Sequence, residues 1–328
     1  MKRTAFATLK PKRGERTHGM VTVPGVEPPW ELPVFVVRGA KDGPTLAVTA
    51  GIHAAEYPGI AAAIHAGRTL DPQALRGTVI IVPLVNSPGF FARTMYTNPR
   101  DGKNINRVFP GRADGAPSER VAHFLTGELF TGADAYLDLH GGDMIESLIP
   151  FSVYQLTGRE QVDATSAELA EALDLDYILA VPSGALHGSS FVAAAALGIP
   201  ALIAEAGQQG IYDSAAQARH VRGLTNVMIR LGMTDGTEQR YGIPKHLARF
   251  AWLYAETQGL FYPNVAVGGL VTAGEVVGEV RDLFGEPLQT LRAEVSGPVL
   301  FLVTALAVNT GNPLMGLGTD EPGESRAG

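Results

Sequence analysis

The segment GIHAAE, residues 51–56, carries an imidazole and a carboxylate three positions apart. His53 and Glu56 directly follow PTLAVTA, an apolar run that predicts a buried strand. Ligands of open α/β sheets bind beyond the carboxyl ends of the strands, so both side chains can converge there on one metal ion. Taken alone, this spacing favours an ordinary surface His–Glu pair over a metal site.

A second candidate ligand, His140, ends the apolar run of another predicted strand and is followed by two glycines. Two histidines and one carboxylate, with a fourth position open for water, form a recognised catalytic zinc set. The sequence therefore predicts one Zn²⁺ per chain, held by His53, Glu56 and His140. Asp138 is interpreted either as an acceptor for a ring N–H of a ligand or as a strand-end carboxylate that faces water.

Glu205 follows the apolar run PALIA at the end of a third predicted strand. A carboxylate in such a place is costly unless it is hydrated in a cleft or paired. Beside a zinc site it can take a proton from the attacking water and later pass it to the leaving amine. The alternative is a strand-end glutamate that caps the following loop.

The polar loop NPRDGKNINRVFPG, residues 98–111, supplies candidates for substrate binding. Asn106 and Arg107 can grip a substrate carboxylate, because a guanidinium presents a bidentate fork. Arg100 can instead lie over the carbonyl oxygen that becomes negative in the transition state. A plain solvated loop is the alternative.

The elements that must position these residues are apolar strands alternating with helices. This pattern predicts an α/β fold, with a mixed, mostly parallel sheet flanked by helices. A helix is expected over residues 118–130, with Ser118 as its N-cap. From Pro263 to Leu317 the chain becomes glycine-rich with short β runs, which predicts a small C-terminal all-β domain. We expect a catalytic domain over residues 1–240 and a β domain with a loose tail over residues 241–328.

Composition excludes several classes of function. The chain has 328 residues, no cysteine, and 26 basic against 33 acidic side chains, for a net charge of −7. Disulfide and thiolate chemistry are excluded, and an acidic chain has no electrostatic reason to bind nucleic acid or an anionic membrane. No signal peptide is visible, so a cytoplasmic location is expected. The expected partner is a small-molecule substrate, and a homo-oligomer is compatible with the sequence.

Taken together, GIHAAE, NINRVFPG, LDLHGG and IAEAG resemble, in order and approximate spacing, the succinylglutamate desuccinylase/aspartoacylase family of the zinc carboxypeptidase superfamily. The resemblance runs from about residue 20 to about residue 318 and includes the glycine-rich β region. One departure is that alanines stand between the two ligands of the first motif, where the family usually has glycine after the histidine.

The resemblance implies zinc ligands at His53, Glu56 and His140, and a general base at Glu205. It further implies that Asn106 and Arg107 hold a substrate carboxylate, and that an arginine holds the oxyanion. Arg100 is preferred for this last role and Arg93 is also eligible.

The implied activity is zinc-dependent hydrolysis of the amide bond of a small N-acylated amino acid or similar N-acyl amine. Two alternatives remain open at the level of sequence. One is a metallo-carboxypeptidase that acts on short peptides. The other is a metal-binding or regulatory protein without catalysis.

Overall fold

The fold is taken from a computed structural model, which describes residues 9–320. Two structural units are visible in this range, a large α/β unit and a C-terminal group of antiparallel sheets. Within the described part of the chain, no helix is both long and apolar enough to cross a bilayer.

A nine-stranded sheet forms the centre of the α/β unit. The strands of this part of the chain are β1 (Glu15–Val23), β2 (Trp30–Arg38), β3 (Lys41–Ala50), β4 (Arg76–Val82), β5 (Ala135–His140), β6 (Glu146–Leu148), β7 (Phe151–Gln155), β8 (Tyr177–Val181), β9 (Ala201–Glu205) and β10 (Lys245–Leu247). All except β6 join the sheet, in the order β1-β2-β4-β3-β5-β9-β7-β8-β10. The pairs β1–β2, β2–β4 and β7–β9 are antiparallel and the other five are parallel. The prediction of a mixed, mostly parallel sheet is confirmed.

Helices cover both faces of this sheet, as its apolar strands require. They are α1 (Tyr57–Thr69), α2 (Ser87–Ala92), α3 (Pro117–Phe124), α4 (Glu160–Ala172), α5 (Ser190–Ala196) and α6 (Ser214–Arg230). Two buried apolar clusters, one on each face, fill the space between sheet and helices. On β5, Tyr136 belongs to one cluster, whereas Leu137 and Leu139 belong to the other. Alternation along the strand therefore directs Asp138 and His140 to the same face as Tyr136.

The predicted N-cap at Ser118 is wrong. Helix α3 begins at Pro117, whose fixed φ suits the first helical position. Glu119 Oε2 accepts a hydrogen bond from the amide of Ala116, the true N-cap position. The Ser118 hydroxyl is buried inside the first turn, where it donates to Asp101. The predicted single helix also changes at Leu125 into a π-helical turn and then a 3-10 turn.

The C-terminal part consists of short antiparallel strands around their own apolar cluster. They are β11 (Arg249–Tyr254), β12 (Gly259–Pro263), β13 (Leu270–Val271), β14 (Val276–Arg281), β15 (Pro287–Arg292), β16 (Gly297–Val303), β17 (Ala307–Val308) and β18 (Pro313–Thr319). The predicted all-β character is confirmed. The domain division at residue 240 stays a prediction: the large sheet continues to Leu247, and the first strand of the β region begins at Arg249.

One strand links the two parts. The short strand β6 lies between two strands of the large sheet in the chain, yet it pairs with β16 of the C-terminal region. Val303 lies opposite Glu146 in this pairing. The C-terminal sheet therefore continues onto a segment that begins only a few residues after His140.

Candidate metal and active site

The candidate site lies where three neighbouring parallel strands end. Strands β3, β5 and β9 are adjacent in the sheet and run in the same direction. Their carboxyl ends therefore meet at one edge, which is where open α/β sheets bind ligands. His140 and Glu205 are the last residues of β5 and β9 and lie opposite each other in register. The sequence expectation that strand ends bring the candidate residues together is met by this topology.

His53 and Glu56 occupy the turn between β3 and α1. Gly51 begins this turn with a φ of +63°, a conformation that suits glycine. The two alanines between the candidate ligands are packed inside the protein. Helix α1 then starts with a proline in its first turn. The turn thus folds Glu56 back beneath His53 and into the protein interior.

Glu56 stands between the two candidate histidine ligands. Its Oε1 is 2.8 Å from Nδ1 of His53, and its Oε2 is 2.8 Å from Nδ1 of His140. The carboxylate is almost fully buried, and its Oε2 has no hydrogen bond of good geometry. Burial alone would raise the pKa of Glu56, but the imidazoles of His140 and His53 hold it at about 2. The carboxylate is therefore kept ionised.

These three residues fit a metal ion. They are the described residues that could together hold one, since one nitrogen or oxygen of each lies within 4.8 Å of the others. The orphaned Oε2 of Glu56 is the kind of buried atom that a cation satisfies. Nitrogen and carboxylate ligands of this number match a catalytic zinc set. Zinc is accordingly the metal that the donor set favours.

The outer nitrogens of both histidines have acceptors. His140 Nε2 lies 2.9 Å from Asp138 Oδ2, and His53 Nε2 lies 3.1 Å from Asn104 Oδ1. Such partners orient the rings of metal-binding histidines and leave the inner nitrogens free for the ion. The interpretation of Asp138 as an acceptor for a ring nitrogen is confirmed. The alternative, a carboxylate facing water, is wrong because Asp138 is completely buried.

Asp138 is itself held in place by hydroxyl groups. Thr49 donates to its Oδ1 over 2.7 Å, and the Ser190 hydroxyl donates to its Oδ2. Burial would lower the pKa of His140, but the nearby Asp138 and Glu56 raise it well above the usual value. The chain thus surrounds this imidazole with negative charge, an environment that suits a cation.

Glu205 lies on the same face of the sheet as Asp138 and His140. It follows Ala201 and Ile203 at a period of two, and both of these belong to the same buried cluster as Tyr136. Loss of hydration raises the pKa of Glu205 well above its usual value, and the negative charges of Glu56 and Glu146 add to the effect. A carboxylate with a raised pKa beside a metal site suits proton transfer.

Asn106 and Arg107 come from a single 3-10 turn, Ile105–Arg107. The buried Asn106 accepts a hydrogen bond from the amide of Ser190 over 2.8 Å, which leaves its NH₂ group available to a ligand. Arg107, an exposed residue, donates to the carbonyl of Asn106. Partial desolvation of its guanidinium lowers the pKa of Arg107, whereas Glu146, Glu205 and Tyr254 raise it. The structure thus brings this pair to the candidate site.

Arg100 and Arg93 are not brought to the cluster. Arg100 donates to the carbonyl of Pro28 over 2.6 Å, and its guanidinium lies over the ring of Trp30. Arg93 is exposed at the end of α2, where it adopts a left-handed conformation. Neither arginine contacts His53, Glu56 or His140 within the described residues. The role of Arg100 as the oxyanion arginine stays a prediction, and this conformation does not favour it.

Sequence reasoning missed several residues of the site. Tyr96, in left-handed conformation, packs edge-on against the ring of His53, with 5.9 Å between centroids. Its hydroxyl donates to Glu146, and its amide donates to Asp143. Asp143 and Glu146 stand three residues apart just after the LDLHGG motif, and this spacing was the sequence signal that could have pointed to them. Tyr254 of β11 could not be found in this way, because only the tertiary fold brings it near Arg107.

Comparisons with known proteins agree with this geometry. The model of the family "Succinylglutamate desuccinylase/Aspartoacylase catalytic domain" matches residues 42–231. The chain is 30% identical over 308 residues to the N-alpha-acetyl-L-2,4-diaminobutyric acid deacetylase of Halomonas elongata, covering 90% of each protein.

Solved structures of related proteins have a similar fold over nearly the whole chain. The product-bound ectoine utilization protein EutE (DoeB) from Ruegeria pomeroyi superposes with a TM-score of 0.87 at 26% identity, covering 95% of this chain and 98% of that one. A succinylglutamate desuccinylase/aspartoacylase from Rhodobacter sphaeroides gives a TM-score of 0.84 at 28% identity, with 95% and 97% covered.

The contact between Asp138 and His140 yields a first test. Asp138→Asn keeps the size of the side chain but removes its charge, so His140 is held less firmly and is less basic. We expect the affinity for zinc to fall roughly 10- to 100-fold, as is usual when such a partner is changed. Competition with a chromogenic chelator measures this affinity.

The matched control is Asp114→Asn, which makes the same change at an exposed loop residue. Asp134 is unsuitable as a control because it accepts a hydrogen bond from the amide of Thr45. Equal zinc affinity in the wild type and Asp138→Asn would contradict the role of Asp138.

Proposed function

Because the chain belongs to the succinylglutamate desuccinylase/aspartoacylase family, we propose that it is a zinc-dependent deacylase of small N-acylated amino acids or N-acyl amines. The observation that carries this proposal is the buried His53–Glu56–His140 cluster with Glu205 beside it at the same sheet edge. The name of the Halomonas elongata relative makes N-acetylated amino acids the first substrates to assay.

His53, Glu56 and His140 would hold the metal. Zinc, when bound, supplies Lewis acidity that polarises a carbonyl and lowers the pKa of a water. Asp138 and Asn104 orient the two imidazoles through their outer nitrogens. These side chains define where the acyl group and the attacking water must lie.

Glu205 is the proposed proton carrier. Its raised pKa suits a carboxylate that accepts a proton from water and then gives it to the departing nitrogen. Two proton transfers by one side chain let the amine leave in neutral form. Within the described residues, no hydrogen bond fixes the Glu205 carboxylate to another part of the chain, so it is free to exchange partners during the reaction.

Asn106 and Arg107 are proposed to bind the carboxylate of the amino acid. The Asn106 amide and the Arg107 fork offer donors side by side on one turn. Binding the carboxylate at this place would orient the scissile amide toward the cluster, because both groups belong to the same small molecule. Exclusion of water and correct orientation then contribute to the rate.

The proposal is tested most simply with Glu205→Gln. This change keeps the shape of the side chain and removes its proton acceptor. We expect zinc content to be retained and kcat to fall roughly 10²- to 10⁴-fold on a panel of N-acyl amino acids. Amine release and metal analysis are measured on the same preparations.

Near-normal turnover by Glu205→Gln would contradict its role. Release of amines from short peptides but not from N-acyl amino acids would favour a carboxypeptidase. Zinc binding without release of any amine would favour a protein that has lost catalysis.

Arg107→Lys tests the carboxylate site. Lysine keeps the charge but loses the bidentate fork, so KM for an N-acyl amino acid should rise at least ~10-fold. The wild type should lose much more kcat/KM than the mutant does when the substrate carboxylate is amidated. Equal losses in both enzymes would show that Arg107 binds something else.

A further inference from the structure

Glu146 lies on the wall of the candidate site, although its strand belongs to the C-terminal sheet. Its Oε1 accepts a hydrogen bond of 2.9 Å from the hydroxyl of Tyr96, whose ring packs against His53. Its Oε2 accepts one of 2.9 Å from the amide of Asp143. Its negative charge raises the pKa of Glu205 and that of Arg107. The charge of Glu56 in turn raises the pKa of Glu146.

Both donors to Glu146 are neutral groups. In residues 9–320, no lysine or arginine lies within ion-pair distance of its carboxylate; Arg107 senses the charge but donates its hydrogen bond to Asn106. Loss of hydration raises the pKa of Glu146 to about 7. A poorly hydrated carboxylate without a cationic partner is costly, and a ligand that brings a cation removes this cost.

The charges around Glu146 at the candidate site distinguish between classes of substrate. Glu56 and Glu205 add negative charge near Glu146, and Glu146 and Glu205 raise the pKa of Arg107. An N-acyl acidic amino acid would bring a second negative charge, which these carboxylates would repel. A substrate with one carboxylate and one ammonium would place one charge at Arg107 and the other at Glu146.

We propose, on the basis of the proposed deacylase function, that Glu146 is a specificity residue that selects N-acyl diamino acids with a free, protonated second amine. The ammonium donates to the Glu146 carboxylate while the substrate carboxylate is held by Asn106 and Arg107. Tyr96 and the Asp143 amide position the acceptor. The C-terminal sheet thereby takes part in substrate choice, because β16 holds β6 in place.

The test compares isosteric substrates on the zinc-loaded, full-length protein. The probes are Nα-acetyl-2,4-diaminobutyrate, its neutral isostere Nα-acetylnorvaline, and Nα-acetylglutamate. The wild type should have the highest kcat/KM for the diamino substrate and the lowest for the acidic one. Glu146→Gln should reduce the ratio of diamino to neutral kcat/KM roughly 10- to 100-fold, the usual worth of hydrogen bonds to a charged group. Glu146→Asp, which keeps the charge, should retain part of the preference.

Glu294→Gln, an exposed carboxylate of the C-terminal region, is the matched control and should behave like the wild type. Calorimetric binding of free 2,4-diaminobutyrate and norvaline gives a second readout that does not need turnover. The wild type should bind the diamino acid more tightly, and Glu146→Gln should remove the difference.

Two results would overturn the inference while leaving the deacylase function intact. One is a wild type that does not prefer the diamino substrate to its neutral isostere. The other is an equal loss on both substrates in Glu146→Gln, which would indicate a structural role. Failure of the deacylase function looks different, because no acetylated amino acid would then release its amine.

Discussion

The carboxylate of Glu56 lies between the imidazoles of His53 and His140, 2.8 Å from a nitrogen of each. A charge buried so deeply is tolerated only where positive charge compensates it. The turn after β3 and the end of β5 satisfy that requirement, since they bring His53 and His140 to Glu56 at one edge of the sheet. The mostly apolar, buried strands behind them form the platform that positions these groups. The geometry of the site thus follows from the need to neutralise one buried carboxylate.

The C-terminal sheets extend this arrangement to the substrate side of the site. Strand β6 leaves the α/β unit to pair with β16, and its first residue is Glu146. Tyr254, on β11, acts electrostatically on Arg107. The described residues of the β region include no metal-ligand candidate, yet this region contributes to the wall that a substrate would contact. The metal cluster belongs to the sheet edge, whereas the proposed discrimination between substrates depends on the junction of the two parts.

Sequence reasoning located the ligand cluster because all of its members stand just after apolar strands. Parallel strands place such positions at one edge whatever their order, so His53, Glu56, His140 and Glu205 could be grouped before the order β3-β5-β9 was known. The orientation of a long side chain is not determined in this way. Arg100 has the right residue type in the right loop, yet its guanidinium packs on Trp30 in the N-terminal hairpin.

Glu146 and Tyr96 were missed for a related reason. Their significance depends on a hydrogen bond across 50 positions of sequence and on a strand pairing with Val303, and neither leaves a periodic signal. Ser118 shows the opposite error. It has the residue type of an N-cap, but the helix begins at the proline before it. Its hydroxyl instead donates a hydrogen bond to Asp101.

Anomalous diffraction at the zinc edge from crystals of the zinc-loaded protein tests the central claim most directly. We expect one strong peak about 2.0–2.2 Å from Nδ1 of His53, a carboxylate oxygen of Glu56 and Nδ1 of His140. The outer nitrogens should remain in contact with Asn104 and Asp138. A peak at a different place, or coordination through the outer nitrogens, would contradict it.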